Sequence, residues 1–245
     1  MKRILSTLKE KWPEYLLEIL VLIIGIYGAF ALENWNENRK RLDSEKILLT
    51  NILVNLSTDS IQFEYYLNEY KRINELHIQL YEIGINNMLL DSINEPALIR
   101  RALYFKQLIG SDFKENVNAI SNPKVHKELI QYVNLMADFE DTYYEELLPV
   151  IKDQIRPYLT LHEIYNVDNW FKVKSKVFED YTFKEINGKN IVDQQKLIEL
   201  SKTIEFQQIL YELNLKWSEF HTHLLQVIEV NSQLKTTIRS ELKHF

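Results

Sequence analysis

The chain has 245 residues, of which 46% are hydrophobic and 26% are charged, so it is able to bury a sizeable core. Its net charge of -6 argues against a nucleic-acid partner, which would need a basic face. The lack of cysteine excludes disulfides, cysteine-bound zinc and thiol catalysis, and the low counts of Gly (5) and Pro (5) favour long helices over a β fold with many turns.

The first element in the chain is an apolar segment. Residues 15–33 are predicted to form a transmembrane helix behind a short basic tail, residues 1–14, with Pro13 in the first turn of the helix. Residues 19–32 carry no charge, but a helix over this range covers only about 21 Å of a hydrocarbon core about 30 Å thick. The span therefore has to include Glu18.

Aromatic residues flank this segment. Trp12, Tyr15 and Trp35 lie where the two membrane interfaces are expected, so they are predicted interface anchors. Two alternatives to a membrane span remain open. One is a cleaved signal peptide, because residues 29–31 resemble a small-x-small cleavage site. The other is the buried core helix of a soluble protein.

One side of the predicted span has residues suited to helix–helix contact. Gly25 and Ala29 form a small-xxx-small pair, which permits close approach of a second helix. An ionisable residue at the edge of a span usually faces protein or water. We therefore predict self-association through one stripe: Glu18, Leu22, Gly25, Ala29 and Leu32. Basic residues are balanced on the two sides of the span. Only the α-amino group favours an inside N-terminus and an outside domain.

The same stretch carries a motif. Residues 18–37 follow the pattern E-I-x5-G-I-x2-A-x4-N-W-N-E. This pattern resembles a family of single-span membrane proteins that is abundant in Bacteroidota and has no assigned function. The resemblance implies an anchor in the bacterial inner membrane and a helical domain behind it, and it implies no activity.

The next element is a stalk helix, predicted over residues 34–83. Hydrophobic residues recur at heptad spacing along it, interrupted at Glu45 and Asp59. The predicted seam consists of Leu42, Leu49, Ile52, Leu56, Phe63, Tyr66, Tyr70 and Ile73. The seam fits either an inter-subunit coiled coil or the core stripe of a bundle. The helices that follow favour the bundle, with a coiled coil confined to the membrane-proximal part.

The rest of the soluble domain, residues 34–245, is predicted to be helical. Helices are expected over residues 95–109, from Asn122-Pro123 onward, over residues 192–200 and over a long final stretch, 203–242. Pro149 and Pro157 are expected to kink or divide the region from Leu147 to Tyr165, and residues 166–190 show the least regular pattern. The predicted fold class is all-α, with a transmembrane helix running into a stalk and then a bundle of four to six helices.

The sequence offers little for catalysis. It contains no metalloprotease, phosphate-loop, dinucleotide or hydrolase motif. Glu219 and His223 stand four residues apart on a helix, but no third metal ligand is indicated, and the acidic residues within 140–146 are expected to form a solvated helix face. We therefore predict no catalytic, cofactor or metal site.

The leading functional hypothesis is a non-enzymatic, membrane-anchored protein that self-associates and presents a helical domain to a partner. Its predicted partners are the lipid bilayer, further copies of the chain and a second membrane protein. One alternative is a channel or transport subunit in which Glu18 faces a helix-lined path. Another is a membrane-bound sensor that acts through a signalling partner.

Overall fold

The computed structural model describes residues 2–85, 92–104, 117–168, 175–178, 181–184 and 191–245. It confirms the all-α prediction, with a long N-terminal helix followed by a helical region. The helices are α1 (Lys2–Gly84), α2 (Pro123–Asp141), α3 (Arg156–Leu161), α4 (Gln194–Ser201) and α5 (Ile204–Glu241). Short 3₁₀ helices span Pro96–Arg100 and Val117–Ala119. Strands β1 (Ser175–Phe178) and β2 (Tyr181–Lys184) form an antiparallel hairpin in the region of least regular sequence.

Helix α1 includes both the predicted span and the predicted stalk without interruption. At 83 residues it is about 125 Å long. It begins at Lys2, so the expectation that the helix starts at Pro13 is wrong. The residues before Pro13 are mostly Leu, Met, Lys, Arg and Glu, which are good helix formers, so they extend the helix ahead of the proline.

The second long helical segment contains two prolines and continues through both. The π-helical stretches Thr142–Leu147 and Val150–Ile155 join α2 to α3, so the chain stays helical from 123 to 161. A proline lacks the N–H that an α-helix needs and clashes with the carbonyl four residues earlier. The wider π turns change that hydrogen-bond pattern on both sides of Pro149, which explains why the helix is not divided there.

Side chains at the helix starts satisfy free backbone N–H groups. Asn122 accepts hydrogen bonds from the backbone of Lys124 and Val125 at the start of α2. Asp193 does the same for α4, and Thr203 accepts from Phe206 at the start of α5. The predicted helices over 192–200 and 203–242 are confirmed with bounds shifted by one or two residues.

The core lies where α1, α2 and α5 pack together, with α5 in contact with both of the others. Tyr66 of α1, Phe139 of α2 and Phe220 of α5 meet at its centre with ring centroids 4.8–6.2 Å apart. Trp217, which is buried, packs edge-on against Phe220. Aromatic side chains from three distant parts of the chain therefore hold the bundle together.

The expected helix over residues 95–109 is wrong in its described part. Only Pro96–Arg100 is helical, as a 3₁₀ turn, and residues 101–104 have no regular structure. Glu95 adopts a left-handed backbone (φ 49°), and its carboxylate accepts a hydrogen bond from Nε of Arg72 at 2.9 Å. Arg72 and Arg101 also bind Glu69, which is nearly buried. These ion pairs to α1 hold residues 95–104 in a conformation that their local sequence does not predict.

Candidate membrane anchor and association surface

The first part of α1 is a helix long and apolar enough to cross a membrane. Its most apolar window has a mean hydropathy of 2.1, and none of that window is buried by the rest of the chain. The large apolar side chains from Leu16 to Leu32 are between 45% and 73% exposed. So much contiguous apolar surface is unusual for a soluble protein and is typical of a surface that faces lipid or another protein.

The predicted interface anchors lie at the two ends of this apolar belt. Trp12 and Trp35 are both exposed, and the guanidinium of Arg39 lies 5.7 Å from the centre of the Trp35 ring. This cation–π contact places a positive charge beside an aromatic ring just past the belt, as expected at a headgroup boundary. The side chain of Tyr15 lies outside the described residues.

The residues of the predicted span stripe all lie on one side of α1 and are exposed: Glu18, Leu22, Gly25, Ala29 and Leu32. A Cβ added at Gly25 would meet nothing within 4 Å, so the chain itself leaves this side of the helix open. A second helix could therefore approach closely on this side, but none of the described residues of the chain packs there.

The same side of α1 continues into the bundle as a second apolar stripe, which the sequence analysis missed. Ile47, Val54 and Ile61 are 62%, 59% and 71% exposed. In an α-helix of 3.6 residues per turn, Ile47 lies about five turns after Ala29, and Ile61 lies about ten turns after Gly25. The signal that would have found this stripe is its own seven-residue spacing. We call these three residues the outer stripe.

Polar residues beside the outer stripe have their hydroxyls satisfied within α1. Thr50 donates to the carbonyl of Lys46 at 2.8 Å, Ser57 to Leu53 at 2.7 Å, and Thr58 to Val54 at 3.2 Å. Because these donors already have partners, covering this side of the helix would leave few of them without a hydrogen bond.

The predicted heptad seam lies on the opposite side of α1. Leu56, for example, is two and a half turns from Ile47. Most of the seam is buried in the chain's own bundle: Leu49, Ile52, Leu56, Phe63, Tyr66 and Ile73. Tyr70 is half-buried and stacks on His221 with 4.0 Å between ring centres. Leu42, nearest the span, is 45% exposed. Most of the seam is thus part of the chain's own core, so no second copy of the chain is needed to bury it.

The two polar interruptions of the seam are buried and paired with distant residues. The Glu45 carboxylate accepts hydrogen bonds from the backbone N–H and the hydroxyl of Ser121, at 2.6 and 2.8 Å. Asp59 accepts a hydrogen bond of 2.6 Å from the hydroxyl of Tyr132. Burial raises the pKa of Asp59 to about 6, against the opposing effects of this hydrogen bond and the charge of Lys235.

A hydrogen-bonded cluster surrounds Asp59. Asn231 donates to the Tyr132 hydroxyl at 3.2 Å and accepts from Ser60 at 2.9 Å. Lys235 donates to the Ser60 hydroxyl at 2.5 Å. The cluster links α1, α2 and α5, so it serves to fix helix register.

The residues considered for metal binding have other hydrogen-bond or ion-pair partners. His223 lies 2.6 Å from the hydroxyl of Thr142 through Nδ1, and Glu219 pairs with Lys216. Lys216 also pairs with Glu146 of the acidic segment. Among the described residues, no group of three or more His, Cys, Asp or Glu side chains is arranged to hold a metal ion.

Comparisons with known proteins add no relative. No protein-family model, curated protein or solved structure matches this chain. The resemblance over residues 18–37 therefore stays a prediction.

Proposed function

We propose that this chain is a single-pass, non-enzymatic membrane protein that self-associates in parallel through one side of α1 and holds its helical bundle at the surface of a bacterial inner membrane. One observation carries the proposal. The side of the apolar belt that carries Gly25 and Ala29 and the outer stripe lie on the same side of one unbroken helix, opposite the side that packs into the bundle.

A second copy of the chain is the partner expected to bind this surface. An anchored chain meets other copies already aligned in parallel and at a high effective concentration. In that arrangement the small residues Gly25 and Ala29 approach each other within the membrane, and Ile47, Val54 and Ile61 meet beyond it. Polar residues between the two regions lie at the headgroup level, where they remain hydrated. The bundle is left free on the far side of α1.

Cysteine cross-linking tests the surface directly, because the wild-type chain contains no cysteine. Val54→Cys, at the centre of the outer stripe, is expected to form a disulfide-linked dimer in isolated membranes. Leu225→Cys is the matched control, since Leu225 is 48% exposed on α5, outside the proposed surface. The proposed surface is wrong if the two variants form the same fraction of dimer, or if neither forms any.

Substitutions in the span test the membrane part of the surface. In the Val54→Cys background, Gly25→Leu or Ala29→Leu should reduce dimer formation several-fold, because larger side chains separate the helices. Ala31→Leu is the control, since Ala31 is likewise exposed and lies about 160° around the helix from Ala29. An equal effect of all three substitutions would contradict the proposed orientation of the helix.

Anchoring and orientation are measured separately. The full chain should resist extraction from membranes by alkaline carbonate, and a chain lacking residues 1–38 should be extracted. We propose that the bundle lies on the outer side, on the basis of the free α-amino group alone. Leu225→Cys, which lies outside the proposed surface and keeps a free thiol, should be labelled in intact cells by a membrane-impermeant maleimide. Labelling only after lysis would reverse the orientation.

A further inference from the structure

A cleft lies at the end of the bundle farthest from the apolar belt. It is formed between the last turns of α1 and the first turns of α5, with a volume of about 490 Å³. Ile78 and Tyr81 line one wall, and Tyr211 lines the other. Clefts of this volume are the usual size for binding a small molecule.

The inner end of the cleft contains a buried histidine. His77 is 2% exposed, and its Nδ1 lies 3.2 Å from Nδ2 of Asn214, which also donates to Asn74. An amide nitrogen can only donate, so Nδ1 accepts, and the proton of the neutral ring is on Nε2. Burial lowers the pKa of His77 to about 3, so the ring is neutral in ordinary conditions.

Nε2 of His77 is buried and has no hydrogen-bond partner among the described residues. Buried polar groups nearly always have a partner, and an exception calls for an explanation. A ligand that places a hydrogen-bond acceptor at Nε2 would satisfy this donor.

The rim and the charge of the cleft limit what the ligand is. Ile78 and Tyr81 are each 50% exposed, and Tyr211 is 61% exposed, which provides flat apolar surface at the entrance. The other described lining residues are Gln207, Gln208, Leu210 and Asn214, so none of the described lining side chains carries a charge while His77 is neutral. A charged ligand would lose hydration here without gaining a counter-charge.

We propose that this cleft binds an uncharged small molecule that combines a flat apolar ring with a hydrogen-bond acceptor, the ring against Tyr81 and Tyr211 and the acceptor on Nε2 of His77. The binding site is independent of the proposed self-association, since its residues lie at the opposite end of the bundle from the span.

Ligand-detected saturation-transfer NMR on the full chain in lipid nanodiscs tests this assignment. Benzamide, which has an aromatic ring and an amide carbonyl, is the probe, and empty nanodiscs give the background. Saturable binding above that background is expected. Benzoate, of the same shape but charged, should bind at least about tenfold more weakly.

Variants at the rim locate the site without disturbing the core. Tyr211→Ala should weaken benzamide binding about fivefold through loss of ring contact, and Ile78→Trp should abolish it by filling the cleft. Tyr144→Ala is the matched control, because Tyr144 is 45% exposed on the π-helical segment outside the cleft. The proposal is overturned by no benzamide binding above background, by equal binding of benzoate, or by equal effects of Tyr211→Ala and Tyr144→Ala.

Discussion

Replacing Tyr132 with phenylalanine removes one hydroxyl from the buried cluster around Asp59 and leaves the ring in place. Tyr132 donates its hydroxyl proton to Oδ2 of Asp59 at 2.6 Å, and Oδ1 of Asp59 has no partner among the described residues. Asn231 keeps a second acceptor, the carbonyl of Leu56 at 3.1 Å. The substitution therefore acts mainly by leaving a buried carboxylate without its short hydrogen bond.

The magnitude follows from the charge of that acceptor. A hydrogen bond to a charged group contributes about 1.5–3 kcal/mol, and removing one partner of a buried charge lies at the upper end of that range. We expect Tyr132→Phe to lower the free energy of unfolding by about 2–3 kcal/mol at pH 7.5. For a domain of this size, that corresponds to a fall in Tm of roughly 5–10 °C.

The effect should depend on pH, because the carboxylate titrates within the stable range. The pKa of Asp59 is about 6 in the folded chain, against an ordinary value of 3.8 for an aspartate, so the folded state binds its proton more tightly. Its contribution to stability is therefore greatest below about pH 4 and declines as pH rises toward 6. At pH 5 most Asp59 is protonated in the folded state, and the loss caused by Tyr132→Phe should be smaller than at pH 7.5.

Thermal unfolding followed by circular dichroism, with the full chain in detergent micelles, measures these differences. A double-mutant cycle with Asp59→Leu isolates the pair, and the two substitutions together should be less destabilising than the sum of the separate effects. The reasoning is refuted if Tyr132→Phe lowers stability by less than about 0.5 kcal/mol, the limit of ordinary additivity. An equal loss at pH 5 and pH 7.5 would also refute it.

Two further predictions concern the end of α1 and can be measured by the same unfolding assay. A Cβ at Gly84 would lie 2.6 Å from the backbone oxygen of Ser201 and would collide with the side-chain amide of Gln207. Gly84→Ala should therefore destabilise the bundle by roughly 1–3 kcal/mol. Gly28→Ala is the control, because its new methyl meets open space, and equal losses of stability in the two variants would contradict this packing. Burial lowers the pKa of His77 to about 3 from 6.5, so the unfolded chain binds the proton first and stability falls with pH below 6.5. Between pH 6 and pH 5 the wild type should therefore lose about 1.2 kcal/mol of stability relative to His77→Asn, and parallel pH profiles would exclude a buried neutral imidazole.

Local sequence was sufficient for the long helices because their signals repeat along the chain. The heptad spacing of Leu49, Leu56 and Phe63 predicted a helix with one buried side. In the structure these residues lie in the helix α1, and all three are buried. Asn122 and Thr203 marked helix starts that the structure places within a residue of the prediction. The helix expected from 95 onward failed because two ion pairs to α1, Arg72–Glu95 and Glu69–Arg101, outweigh the local helix preference of this segment.

The sequence by itself determined that this chain is helical, that one apolar segment near its start is long enough to cross a membrane, and that this segment has a side suited to helix contact. Those properties depend on residue type and spacing within one helix. Only the tertiary structure decided that Glu45 and Asp59 are buried polar pairs, that the seam belongs to the chain's own core, and that Ile47, Val54 and Ile61 remain outside it. Either apolar side of α1 satisfies the same periodic pattern, and the packing of α5 and α2 against one of them leaves the other open.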